Sequence, residues 1–108
     1  MTEFGVRLER KGKIALLTFD RPERRNALNE AMGSGLAERI QELRAHLPRV
    51  IVVTGSGETF CAGFDINPDN PQVSRLIESV QNHDRHPVEI LLRRLQSVVH
   101  DLVSLPVP

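Results

Sequence analysis

The residues with the most chemical promise are those that leave the backbone bare. Phe60-Cys61-Ala62-Gly63-Phe64-Asp65-Ile66 places an alanine and a glycine between bulkier neighbours, so a ligand can approach the main chain there. N–H groups at such a corner, held by the surrounding fold, can donate to an oxygen on which negative charge develops. Arg24 and Arg25 form a second candidate group. Guanidinium forks match phosphate geometry, although arginines in an exposed turn are often simply solvated.

Other candidates are weaker. Cys61 has no base or cationic neighbour assigned to it, and a thiol without one behaves as a small apolar residue. His83 and His86 have the spacing of half a metal site, but the loop supplies no further ligand, so no metal is expected. Asp65 has the chemistry of a general base. Gly55-Ser56-Gly57-Glu58-Thr59-Phe60 follows a strand-like run and partly matches a dinucleotide fingerprint. Phe60 stands where the third glycine is required and no helix follows directly, so that reading is rejected.

These residues need elements to position them. Val6 and Leu8 alternate with charged residues and predict a half-exposed strand. Lys11-Gly12-Lys13 reads as a turn and Ile14 to Phe19 as a second, more buried strand. Asn29 is the expected N-cap of a helix whose apolar face carries Met32, Leu36, Ile40, Leu43 and Leu47. Pro48 closes it. Val50 to Thr54 is expected as a strand covered on both faces, which completes a β-β-α-β unit. Asn67 to Pro71 reads as a cluster of breakers. Val73, Leu76, Ile77 and Val80 mark a short helix, and an amphipathic helix runs from Val88 to Val103. Residues 66–87 as a whole are expected to form a flexible loop beside the site.

Composition narrows the class. The chain has 108 residues, no formal net charge, 4% aromatic content and neither Trp nor Tyr. Nothing there recommends nucleic acid or an anionic membrane as partner. One cysteine excludes an internal disulfide and fits a reducing, cytoplasmic compartment. Met1-Thr2-Glu3-Phe4 shows no signal-peptide pattern, and no apolar run approaches a bilayer span.

The segment from Val50 to Ile66 resembles the oxyanion-hole signature of the crotonase (enoyl-CoA hydratase/isomerase) superfamily. Asp20-Arg21-Pro22-Glu23-Arg24-Arg25-Asn26-Ala27-Leu28-Asn29 looks like the superfamily's other N-terminal hallmark, a coenzyme A-contacting turn that leads into the first helix. The resemblance runs from Phe4 to Pro108. It implies an α/β fold, the N-terminal part of a crotonase-type spiral of β-β-α units, with two or three amphipathic helices packed on the sheet. Residues 1–108 would then be part of an acyl-CoA-binding domain.

It further implies that the Phe64 N–H is the first oxyanion donor for a thioester carbonyl. Ala62, Gly63, Asp65 and Ile66 would line the coenzyme A arm, with Asp65 structural or substrate-adjacent rather than a base, Ala27 would line the groove by its main chain, and Arg24 or Arg25 would contact a phosphate. A second donor and the acid/base carboxylates would lie past Pro108, so this N-terminal portion is expected to be inactive alone. The expected activity of the whole protein is hydration of a 2-enoyl-CoA in fatty acid metabolism. Double-bond isomerisation or another crotonase-type reaction, and a non-catalytic acyl-CoA-binding role, are the alternatives. Coenzyme A would enter as part of the substrate with no separate cofactor, and the whole protein would assemble as a trimer or a dimer of trimers.

Overall fold

The computed structural model describes residues 5–108; the reading of Met1–Phe4 lies outside the described residues. Strands β1 (Val6–Lys11) and β2 (Ile14–Phe19) form an antiparallel hairpin that turns at Gly12, with Leu8 opposite Leu17. A 3-10 turn at Pro22–Arg24 leads into helix α1 (Glu30–Ala45). The chain then returns as β3 (Val50–Gly55), parallel to β2 with Ala15 opposite Ile51. The sheet order is β1-β2-β3, the β-β-α-β unit expected.

Both ends of α1 have a chemical reason. The Asn29 side-chain oxygen accepts the Met32 N–H at 2.9 Å, and Glu30 lies in the positively polarised first turn. At the other end the Arg10 guanidinium donates to the carbonyls of His46 and Glu42 at 2.8 and 3.2 Å, which satisfies groups the helix cannot. Between them Met32, Leu36, Ile40 and Leu43 pack over Val6, Ala15, Leu17 and Phe19, all buried. Each such large side chain contributes about 1.5–3 kcal/mol on leaving water. Leu105 closes the core from the C-terminal end.

Three expectations are corrected. Leu47 does not extend the α1 face: the helix stops at Ala45 and Leu47 is 48% exposed. Pro48 disfavours helical backbone at the residue before it. Strand β3 is covered on one face only. Ile51 and Val53 pack toward the core, while Val50 and Val52 remain 38% and 42% exposed beside Ile14. Finally, much of the expected loop 66–87 is regular structure, because α2 spans Pro71–Gln81.

Asn70 caps α2 by accepting the Gln72 N–H at 3.1 Å, with Pro71 in the first turn. Helix α3 (His86–Val103) starts two residues before the expected Val88. Helix α1 is laid on the sheet, α3 packs on α1 and brings Val98 and Leu102 against the core, and α2 packs on α3. Past α3 the chain turns back, so that the Pro108 carbonyl accepts the Ile51 N–H at 2.9 Å on the free side of β3. No helix among the described residues is long and apolar enough to cross a membrane.

Candidate functional site

The turn after β2 and the loop after β3 are stitched side by side. The Ala62 N–H donates to the Arg25 carbonyl at 3.1 Å, and the Leu28 N–H to the Gly63 carbonyl at 2.7 Å. The Asp65 N–H returns to the Leu28 carbonyl at 2.8 Å, making Leu28 and Phe64 a parallel bridge. In a parallel pair, alternate backbone groups of each strand point toward the partner and the rest point away. The bridge therefore uses the N–H groups of Leu28 and Asp65 and leaves that of Phe64 facing the other way. Among the described residues, Phe64 N–H has no acceptor. Gly63 makes the corner with φ +96°, a conformation that favours glycine.

Asn26 holds this corner. It is fully buried at φ +57°. Its amide nitrogen donates to the carbonyls of Ser56 and Thr59 at 3.0 and 2.7 Å, and its amide oxygen accepts the Arg21 N–H at 2.8 Å. Gly55 leaves room for that contact. A Cβ there would collide with the Phe60 carbonyl and stand 2.7 Å from both Asn26 Nδ2 and the Thr59 carbonyl. The Phe19 and Phe60 rings pack with centroids 5.4 Å apart, and Ser56 Oγ donates to Asp20 at 2.8 Å.

The expected site residues fall into two groups. Ala62, Gly63 and Ile66 are exposed along the corner, and Phe64 is half-buried. Arg25 is exposed with no side-chain partner among the described residues, whereas Arg24 is paired with Asp69 at 2.7 Å. Ala27 and Asp65 are turned inward. The Ala27 N–H donates to the Arg24 carbonyl at 3.0 Å, and its own carbonyl accepts from the Arg21 guanidinium at 3.0 Å. Asp65 is buried, with Arg21 2.9 Å from one carboxylate oxygen and the Asn67 N–H 3.0 Å from the other. Cys61 is half-buried and receives the Gly63 N–H at 3.5 Å. No group of three or more potential metal ligands occurs among the described residues. After Gly57 the chain runs as loop until α2 at Pro71, so a dinucleotide-binding helix is absent there.

A family model for enoyl-CoA hydratase/isomerase matches residues 9–105. The chain belongs to the enoyl-CoA hydratase/isomerase family. A Rhodobacter capsulatus protein named a probable enoyl-CoA hydratase is 36% identical over 82% of this chain and 34% of its own length. The 1,2-epoxyphenylacetyl-CoA isomerase of Escherichia coli is 41% identical over 65% of this chain and 27% of its own. The structure of Pseudomonas aeruginosa AtuE superposes on 90% of this chain and 35% of its own, with a TM-score of 0.69 at 24% identity, a likeness of fold. The chain thus spans roughly a third of the length of the curated relatives it matches.

Within this family member, sequence reasoning missed Arg21, Asn26 and Gly55, which build the corner without lining it. Asn26 carried one usable signal, since asparagine tolerates positive φ better than other side chains. The Asp65 carboxylate serves the frame, through Arg21 and the Asn67 N–H. The hydrogen bond from Asn67 lowers its pKa, and Arg21 adds to this against the opposing cost of burial. The folded carboxyl therefore binds protons less readily than the unfolded one, whose ordinary pKa is 3.8. The stability it contributes is complete above that value and is lost as pH falls through it toward the lower folded pKa. Urea unfolding of the native chain along a falling pH series should show this loss, with a shallower slope for Asp65→Asn. Parallel slopes for the two proteins would remove Asp65 as the responsible group.

Proposed function

We propose that this chain binds a coenzyme A thioester and presents the Phe64 N–H to its carbonyl oxygen, stabilising the enolate that forms there. One observation carries the reading: an N–H without an acceptor among the described residues, on an exposed glycine corner fixed by a buried asparagine. Ala62, Gly63 and Ile66 lie along the same corner and would flank the pantetheine arm. Of the two arginines, Arg25 is the better phosphate contact, because binding through Arg24 first requires breaking its pair with Asp69.

In the whole protein the proposed reaction is hydration of a 2-enoyl-CoA. Isomerisation is the second reading, favoured by the name of the Escherichia coli relative. A second oxyanion donor and the proton-transfer groups would come from sequence beyond this segment, so the 108 residues are proposed to bind without turning over. Coenzyme A enters as part of the substrate, with no separate cofactor. A reducing, cytoplasmic setting is supported by the single cysteine. A trimer or dimer of trimers is proposed for the whole protein.

Amide NMR tests the reading on the chain as it is. A 3-oxoacyl-CoA ester, whose enolate carries a negatively charged oxygen, should move the Phe64 N–H resonance strongly downfield at saturation. Binding that leaves this resonance unmoved, or no binding at all, would overturn the proposal.

A further inference from the structure

The Arg21 guanidinium sits between the two segments that frame the corner. Its Nη1 donates to the Ala27 carbonyl at 3.0 Å and stands 2.9 Å from a carboxylate oxygen of Asp65. Ala27 immediately precedes Leu28 and Asp65 immediately follows Phe64. One cation therefore ties together two residues that flank the Leu28–Phe64 bridge. Only 18% of the Arg21 side chain and 5% of that of Asp65 are exposed, and an ion pair so placed is screened less than one in open water. Asp65 is held from its far side as well, where its carbonyl accepts the Asn70 side-chain amide at 2.8 Å. Arg21 has its own main chain fixed, because its N–H donates to Asn26 Oδ1 and its carbonyl accepts the N–H groups of Arg24 and Asn26.

The direction of the Phe64 N–H follows from these ties. A peptide unit is planar and trans, so its N–H points opposite to its C=O. The Gly63 carbonyl is turned toward the Leu28 N–H at 2.7 Å, which sends the Phe64 N–H to the other side. Gly63 itself offers little resistance to rotation of that plane, so the plane is held by its neighbours, with Leu28 on one side and Asp65 on the other. A hydrogen bond weakens steeply as its angle closes, and a donor stabilises developing charge best when it is aimed beforehand. We infer that Arg21 is the positioning residue of the oxyanion donor, acting through Ala27 and Asp65 without touching the ligand. The inference deepens the functional reading above and rests on it. Without Arg21 the backbone bonds from Ala62 to Arg25 and from Asp65 to Leu28 still join the two segments, so the corner persists while the aim of the Phe64 N–H is lost.

Two ligands separate aim from attachment. Coenzyme A alone has no thioester carbonyl, whereas 3-oxobutanoyl-CoA offers an enolate oxygen to the Phe64 N–H. In calorimetry at one fixed pH, Arg21→Met should weaken the ester about tenfold and leave coenzyme A within about twofold of the native chain. The downfield movement of the Phe64 N–H resonance in the ester-saturated chain should shrink with it. Should Arg21→Met fail to fold, Asp65→Asn, which keeps the shape and removes the charge, takes its place in the same comparison and should show the same selective loss. Parallel loss of both ligands, unchanged ester affinity in a folded variant, or a Phe64 resonance that still moves in full would overturn the inference and leave acyl-CoA binding intact. A native chain whose Phe64 resonance does not move with the ester would overturn the functional reading and this inference together.

Discussion

Replacing Asn26 with alanine should lower the unfolding free energy by about 3–5 kcal/mol, a large share of what a domain of this size has to lose. The side chain is fully buried and serves three backbone groups: the N–H of Arg21 and the carbonyls of Ser56 and Thr59. Alanine leaves all three half-buried groups without the partner that the fully buried amide supplied, and each orphan costs roughly 1–3 kcal/mol before relaxation. The backbone adds to this, because φ is +57° at this position and alanine tolerates that region less well than asparagine. Asn26→Gly separates the two causes. Glycine removes the conformational penalty but restores no hydrogen bond, so it should recover about 1 kcal/mol and no more. Urea unfolding of the three proteins measures both differences. A loss below about 1 kcal/mol in Asn26→Ala would mean that the turn and the loop are held together by something other than this amide.

What could be read in advance follows from which interactions are local. The hairpin, α1 and β3 rest on alternation, a four-residue apolar repeat and a run of β-branched residues, all of which act within a few positions of the chain. The misplaced features depend on what comes from elsewhere. Four valine-type residues at Val50–Val53 specify a strand, but coverage of its second face depends on packing that no short window contains. Val50 and Val52 accordingly lie open. Leu47 continued a helical repeat arithmetically while Pro48 ended the helix physically.

The proline signals also have two meanings. Asn70-Pro71 reads as an interruption, yet an asparagine cap followed by proline in the first turn is a way to start a helix, and α2 starts there. His86-Pro87 repeats the ambiguity, and α3 begins at His86. At the site, the short motif around Gly63 was visible because bareness is a property of the residues themselves. The role of Asn26 was not, because its partners Ser56 and Thr59 are 30 and 33 positions away. The inward turn of Asp65 likewise depends on Arg21, which reaches it from the opposite motif at 2.9 Å.

The sharpest separation of site from scaffold comes from changing single backbone atoms. Converting the Gly63–Phe64 amide to an ester, by incorporating the hydroxy-acid analogue of Phe64, deletes one N–H and keeps the side chain. That N–H has no acceptor among the described residues, so the fold should lose little. The Gly63 carbonyl still accepts from Leu28, only more weakly, at a cost of about 1 kcal/mol or less. Ligand affinity should respond quite differently. Binding of the 3-oxoacyl-CoA enolate should weaken about ten- to a hundredfold, the size of a hydrogen bond to a charged acceptor. In a whole protein containing this segment, kcat should fall about 10²–10³-fold. The same ester at Leu28 deletes an N–H that the structure does use, at 2.7 Å to Gly63, so there the larger loss should be in stability. If the Phe64 ester unfolds the chain as readily as the Leu28 ester does, the amide at 64 belongs to the scaffold. If it leaves enolate affinity unchanged in a folded chain, the donor lies elsewhere.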